Sequence, residues 1–302
     1  MTSQPVWLTQ RERGSRPLIW LIVRVTLLLG RGVGRVLLYP ICTYFVLFSG
    51  RARRASRDYL QRVLPGRPGW RDVFTHYHCF ALTILDRVLL LTGQTEQIDC
   101  RIEGVDVLRG VLAQGRGCLL YGAHFGSFDV LRALGFAESP VAVNVLMHEQ
   151  TAEKLNGVLA SLNRELPQQV IPLGRPETML KVAEALSRNE IVGLLADRVV
   201  AGDKMRRCDF LDGVASFPEG PFILASVLRA PVVLFSAVYC GGRQYRVRFE
   251  SFSDAQVMPS TERGDALQRE VQRYADWLAR SCRTAPFNWF NFYDFWMHAT
   301  TG

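Results

Sequence analysis

His124 stands just past an apolar run at residues 118–121, in the stretch Gly122-Ala123-His124-Phe125-Gly126-Ser127-Phe128-Asp129. An imidazole at a strand end, with a carboxylate one helical turn further on to fix its tautomer, is a general base with its own orienter. The expected chemistry is removal of a proton from a hydroxyl or amine while that group attacks an activated acyl carbon. Gly122, Ala123, Gly126 and Ser127 are small and leave room for a substrate beside the backbone. The N–H groups of Gly126 and Ser127 are the expected donors to the developing oxyanion. A histidine near a strand end is also a common structural hydrogen-bonding group, so the neighbourhood has to carry the assignment. No G-x-S-x-G elbow is present, so a covalent serine route is not indicated.

Two further groups point the same way. Residues 191–196 run straight into Asp197-Arg198, a strand ending in an ion-pair-capable couple. Phe217-Pro218-Glu219-Gly220-Pro221-Phe222 opens a helix, where a carboxylate and free N–H groups can meet a hydroxyl, sugar or phosphate. Each also has a plain structural reading, a loop salt bridge for Asp197-Arg198 and a dipole-favoured first-turn acid for Glu219. Three such groups in this order support a site.

The elements that must position them follow from periodicity. Short apolar runs at 118–122, 141–147, 191–196, 231–239 and 244–250 predict strands. Amphipathic stretches at 126–137, 151–164, 176–188 and 221–229 predict intervening helices, flanked by longer ones at 70–92 and 262–283. This alternation predicts an α/β fold, a mostly parallel sheet flanked by helices, whose sites lie beyond the carboxyl ends of the strands. At 302 residues and 48% hydrophobic the chain can bury a full core. Residues 61–302 are expected to form one α/β domain, preceded by a basic and apolar helical segment at 1–60.

That segment holds two apolar runs, 18–29 and 36–48, separated by Gly30-Arg31-Gly32-Val33-Gly34-Arg35. Neither reaches the roughly 20 residues needed to cross a bilayer. On a helix Arg24, Arg31 and Arg35 fall within about 20° of one another. A charged stripe opposite an apolar surface suits the membrane interface, and the basic clusters at 11–16 and 51–57 suit anionic lipids. No cleavage pattern follows residue 29, so the segment reads as an uncleaved anchor; two buried core helices are the alternative.

The formal charge of +8 comes from 33 arginines and 3 lysines against 28 acidic residues. Guanidinium favours phosphate and carboxylate partners, yet no nucleic-acid-binding module is recognisable. The seven cysteines lack C-x-x-C spacing and support neither a disulfide framework nor a zinc cluster. Helical spacing splays His76 from His78, so no metal site is expected beside Asp72 and Cys79. The ending Asn-Trp-Phe-Asn-Phe-Tyr-Asp-Phe-Trp at 288–296 reads either as an aromatic wall for an acyl chain or as a plug on the core.

The blocks HFGSFD at 124–129, LLADR at 194–198 and FPEG at 217–220 together resemble the lysophospholipid acyltransferase superfamily, and within it the late acyltransferases of lipid A biosynthesis. The resemblance spans roughly residues 15–296. It implies that His124 is the base and Asp129 its partner, and that Asp197, Arg198 and Glu219 shape the acceptor site. Arg164 is similar to an arginine the lipid A branch carries between its first and later blocks. No cofactor is implied beyond an acyl thioester co-substrate, on acyl carrier protein or coenzyme A. The implied partners are that donor, a lipid acceptor and an anionic membrane surface, at the cytoplasmic face of a bacterial inner membrane.

The chain departs from the lipid A branch at Asp129, where Glu is usual, and at 146–150, where a Tyr-Arg-Pro-type segment is usual. Pro221 replaces the Thr common after FPEG in glycerophospholipid enzymes. These departures leave the acceptor open between lipid A, an aryl polyene lipid, an amino-acid lipid and a lysophospholipid. The aromatic ending resembles a subgroup found beside the biosynthesis of aryl polyene lipids. The rival readings are a thioester or lipid hydrolase at the same residues, and a non-enzymatic membrane lipid-binding protein.

Overall fold

The apolar runs pair into one seven-stranded sheet. In a computed structural model describing residues 16–133, 141–147, 170–199, 202–254 and 263–296, its strands are β1 (Asp99–Glu103), β2 (Cys118–Gly122), β3 (Val143–Met147), β4 (Val170–Pro172), β5 (Ile191–Leu195), β8 (Val232–Gly241) and β9 (Gln244–Ser253). Their order is β1-β9-β8-β2-β5-β3-β4, and every pairing is parallel except the hairpin β8–β9. A separate antiparallel hairpin joins β6 (Met205–Asp209) and β7 (Val214–Pro218). The fold is therefore mixed α/β with a mostly parallel sheet, as the alternation of runs predicts.

The sequence of each strand explains its place. β2 is buried at every residue and β5 almost so, which is why both read as unbroken apolar runs. In β9 buried Tyr245, Val247 and Phe249 alternate with exposed Arg246 and Arg248, the period-2 pattern of a strand covered on one face. Gly193 in β5 admits the Phe128 ring from the turn after β2, where a Cβ would collide with it. The site-bearing turn is thereby wedged against the strand beside it.

Helices cover both faces. On one side α4 (Val105–Leu112) and the short α5 (Phe128–Ala133) close a core containing Leu108, Leu120, Phe235 and Val247. On the other, α7 (Gly220–Leu228) and α8 (Arg263–Thr284) pack Phe222, Tyr274 and Leu278 around Tyr121 and Leu234. The α6 helix (Thr178–Ser187) lies beside β4 and β5. The three N-terminal helices are α1 (Arg16–Phe48), α2 (Gly50–Val63) and α3 (Trp70–Leu91).

The boundary expected at residue 60 falls inside α2, whose Tyr59 and Leu60 are fully buried in the same core as the sheet. The two apolar runs of α1 meet at a kink at Gly30 (φ 85°, ψ 168°), a backbone region open to glycine, and Pro40 sits within the second half. The arginine stripe needs correction. Arg31 is buried, with Nε 2.6 Å and Nη2 2.8 Å from the Asp86 carboxylate, and its Nη1 donates to the Gly242 carbonyl. Arg35 reaches the same carbonyl. Part of the charged face thus points into the protein, and Leu21, Leu28, Leu29, Val36, Tyr39 and Leu47 face outward. No described helix is long and apolar enough to cross a membrane. Strands β1, β4, β6 and β7 and helix α4 escaped the sequence reading because they are short or polar. The helix expected at 151–164 and residues 134–137 of the one expected at 126–137 lie outside the described residues.

Candidate active site

Strands β2 and β5 lie side by side and parallel, with Gly122 opposite Leu195. Two residues beyond that pair stand His124 and Asp197, so strand register alone brings them together at the carboxyl edge of the sheet. Nδ1 of His124 lies 2.8 Å from Oδ1 of Asp197. Oδ2 accepts the His124 backbone N–H at 3.1 Å and the Trp289 indole N–H at 3.1 Å. Asp197 is 1% exposed, whereas His124 keeps 28% of its side chain accessible.

The electrostatics follow from that geometry. Burial by itself raises the Asp197 pKa, but His124, Arg198 and the Trp289 N–H outweigh it and hold the carboxyl down to about 2. For His124, burial leads and Arg198 adds to it; together they exceed the opposing pull of Asp197 and lower the imidazole below its ordinary value. An ionised Asp197 accepts a hydrogen bond from the Nδ1–H and keeps the proton on that nitrogen, which leaves the Nε2 lone pair to accept one from a substrate.

The orienting carboxylate is therefore Asp197, where the sequence predicts Asp129. Asp129 begins α5, and its Oδ2 lies 3.0 Å from Nε of Arg87 on α3. The reason is the turn between them. Gly126 has φ +74° and sits so close to β8 that a Cβ would collide with the Ala237 carbonyl. This reversal carries the α5 start, Asp129 included, toward α3. The same turn removes the expected oxyanion donors: the Gly126 N–H is bonded to the Asn288 carbonyl at 2.8 Å and the Ser127 N–H to the Ala237 carbonyl at 2.9 Å. Both are spent on holding the loop.

Arg198 stands beside the pair. Its Nη2 donates to the Phe290 carbonyl at 3.0 Å and its guanidinium lies over the Tyr293 ring at 5.4 Å. Glu219, 8% exposed, precedes α7 and is paired with Arg206 of β6 at 2.6 Å. Its helix is tied to β2 by the Tyr121 hydroxyl, which donates to the Pro221 carbonyl. The structure thus brings His124, Asp197 and Arg198 together and gives Glu219 a different partner. Arg164 lies outside the described residues.

Two residues of the site were not assigned to it from sequence. Trp289 is 1% exposed; its ring braces Asp197, and its backbone bridges Phe125 in antiparallel register, while the Phe290 N–H donates to the His124 carbonyl at 2.7 Å. The aromatic ending is thus a core plug that also clamps the turn carrying His124. The signal was the run itself. The second is His76, fully buried on α3, with Nδ1 2.8 Å from Ser56 Oγ and Nε2 2.8 Å from the Trp289 carbonyl. Nε2 must donate to that carbonyl, so Nδ1 accepts from the serine, and no lone pair is left for a metal. Burial leads over the Trp289 bond and lowers its pKa to about 4.

An imidazole with one nitrogen fixed by a buried carboxylate, part of its side chain accessible and a cation beside it is suited to general-base acyl transfer. Comparison with known proteins agrees with that chemistry. Residues 12–298 match the family model described as bacterial lipid A biosynthesis acyltransferase. A search of curated proteins finds no match. The family's reaction is acyl transfer to a lipid acceptor. With nearly the whole chain covered by the match, the chain belongs to the bacterial lipid A biosynthesis acyltransferase family.

Proposed function

We propose that this protein transfers a fatty acyl group from an acyl thioester, on acyl carrier protein or coenzyme A, to a hydroxyl or amine of a lipid at a membrane surface. The observation that carries the reading is the His124–Asp197 pair, 2.8 Å apart, with one imidazole nitrogen left to face substrate. Nε2 of His124 takes the acceptor proton as the acceptor oxygen or nitrogen attacks the thioester carbonyl. Asp197 holds the tautomer and stabilises the imidazolium. Arg198 supplies positive charge near the developing oxyanion, in place of the occupied N–H groups of Gly126 and Ser127. Collapse breaks the C–S bond, the imidazolium returns its proton to the leaving thiolate, and an ester or amide and a free thiol result.

Membrane association is supported by the outward face of α1, where Leu28 is 78%, Val36 66% and Leu29 64% exposed. Exposed apolar surface of this extent on one helix, next to the arginines of α2, suits a bilayer interface. The test of function is mass spectrometry of lipids from a native-host strain carrying His124→Ala. Loss of one acyl chain from lipid A identifies the acceptor as lipid A, and loss from another lipid identifies that lipid. An unchanged lipid profile, with wild-type thioester consumption by the purified variant, refutes the mechanism.

A further inference from the structure

A concavity whose lining includes neither His124 nor Asp197 lies on the α8 face of the sheet. It is a cleft of about 590 Å³ between α3, the outer face of the β8–β9 hairpin and α8. That volume falls in the range of small-molecule sites. On β9, Arg246 and Arg248 project from the same face because they are two residues apart, opposite Val238 and Ser236 of β8. Arg280 of α8 lines the same space.

These three cations meet one lining carboxylate, Glu250, whose Oε1 accepts the Trp277 indole N–H at 3.0 Å. Arg248 is engaged by Glu103 at 2.7 Å. Among the described residues neither Arg246 nor Arg280 forms a salt bridge within 4 Å; Arg246 acts on Glu103 only through space, as one of several arginines that lower that carboxyl. Surface arginines commonly stand in solvent alone, but these two border a cleft whose walls are also apolar, from Leu82, Trp277 and Phe287. His78 borders it too, and its Nε2 is buried without a hydrogen-bond partner. Phe125, the residue after His124, reaches the same cleft.

We infer that this cleft binds the phosphate-bearing part of a substrate, with Arg246 and Arg280 on the phosphate and the apolar walls on the chain attached to it. This rests on the acyl-transfer reading, under which the phosphate has two sources, the carrier arm of the thioester or the head of a lipid. Guanidinium is the group that pairs bidentately with phosphate.

Cys240 makes the inference testable without turnover. It lines the cleft and is exposed, whereas Cys100 is half-buried and the other five cysteines are buried. Its alkylation by N-ethylmaleimide, followed by peptide mass spectrometry, reports occupancy of the cleft. The probes are coenzyme A, phosphatidylglycerol vesicles and phosphatidylcholine vesicles, each applied to wild type, to Arg246→Gln/Arg280→Gln and to a control, Arg116→Gln, an exposed residue outside the cleft lining. A bound probe at ten times its Kd slows labelling of Cys240 about tenfold in wild type and the control. The double variant loses that protection, and labelling of Cys100 is unchanged throughout.

Protection by coenzyme A identifies the carrier arm, and protection by phosphatidylglycerol but not phosphatidylcholine identifies a lipid head. The inference is overturned if neither anionic probe protects Cys240, or if protection persists in the double variant. An Arg246→Lys/Arg280→Lys variant retaining part of the protection separates lost charge from lost folding. Because His124→Ala retains the cleft, its protection pattern is that of wild type even where the acyl-transfer reading fails.

Discussion

Two histidines are tied to the same tryptophan, and they differ in what their second nitrogen can do. His76 bonds the Trp289 carbonyl, and His124 is held by the carboxylate that the Trp289 indole N–H also reaches. Both imidazoles have pKa values lowered chiefly by burial. The difference is in the second nitrogen. In His76 both nitrogens are spent inside the protein, on Ser56 and Trp289, which makes it a structural pin between α2, α3 and the C-terminal segment. In His124 one nitrogen is spent on Asp197 and 28% of the side chain reaches the surface. A lowered pKa alone therefore does not mark a catalytic base; an unspent lone pair at an accessible edge does.

The sharpest way to break this contrast is to remove each imidazole in turn. His124→Ala is expected to lower kcat by about 10⁴-fold, the upper range for a general base. Its thermal stability should stay near wild type, because Asp197 keeps the residue-124 backbone N–H and Trp289. Asp197→Asn is expected to cost on the order of 10³-fold in kcat, because an amide can fix the wrong tautomer on His124. A steady-state assay that finds Asp129→Asn more damaging than Asp197→Asn reverses the assignment of the orienter.

His76→Leu should act through stability instead. It strands the Trp289 carbonyl and the Ser56 hydroxyl in the interior, at a cost of roughly 2–4 kcal/mol in denaturant unfolding. His76→Gln retains a donor for Trp289 and is expected to recover about half of that. The smallest effect expected is from Asp129→Asn, about tenfold or less in kcat, matched by Arg87→Gln because each breaks the same tie between α5 and α3. Divergence of those two variants shows that Asp129 does more than anchor its helix.

The two histidines also separate by pH. His124 must be neutral to act, so kcat/KM falls as pH drops through its pKa, and the acid limb should lie below the ordinary histidine value of about 6.5. His76 is held to about 4 in the folded protein. Between that value and roughly 6.5 the unfolded chain binds the extra proton, so stability declines as pH falls through this window, by on the order of 3 kcal/mol. Above it this contribution is flat. In His76→Leu the decline across the window should shrink, and an unchanged slope in urea titrations from pH 7 to 4.5 refutes the role given to His76.

The position of His124 was legible because β2 and β5 are unbroken apolar runs, and the residues just past such strands in a parallel sheet are where functional groups collect. The long amphipathic helices α3 and α8 were legible for a related reason, since their periodicity repeats over many turns. The partner of His124 was not. Asp129 is five residues away and Asp197 seventy-three, and sequence proximity favours the nearer. The choice is made by the register of Gly122 against Leu195 and by the close approach of Gly126 to β8. Neither leaves a local signature.

The same limit explains α1. Its periodicity predicted Arg24, Arg31 and Arg35 on one face, but the kink at Gly30 interrupts the period, Arg24 stays exposed and Arg31 is buried, and a periodic pattern has no inside or outside until a neighbour is known. Asp86, on a helix fifty-five residues away, drew Arg31 inward and left the apolar residues facing out. Residue order was enough for the unbroken apolar strands, the long periodic helices and the family blocks, because these depend on backbone period and on contacts within a few residues. Which carboxylate, which carbonyl and which surface each group meets came from the folded arrangement, because those choices are settled by packing between strands and helices distant along the chain.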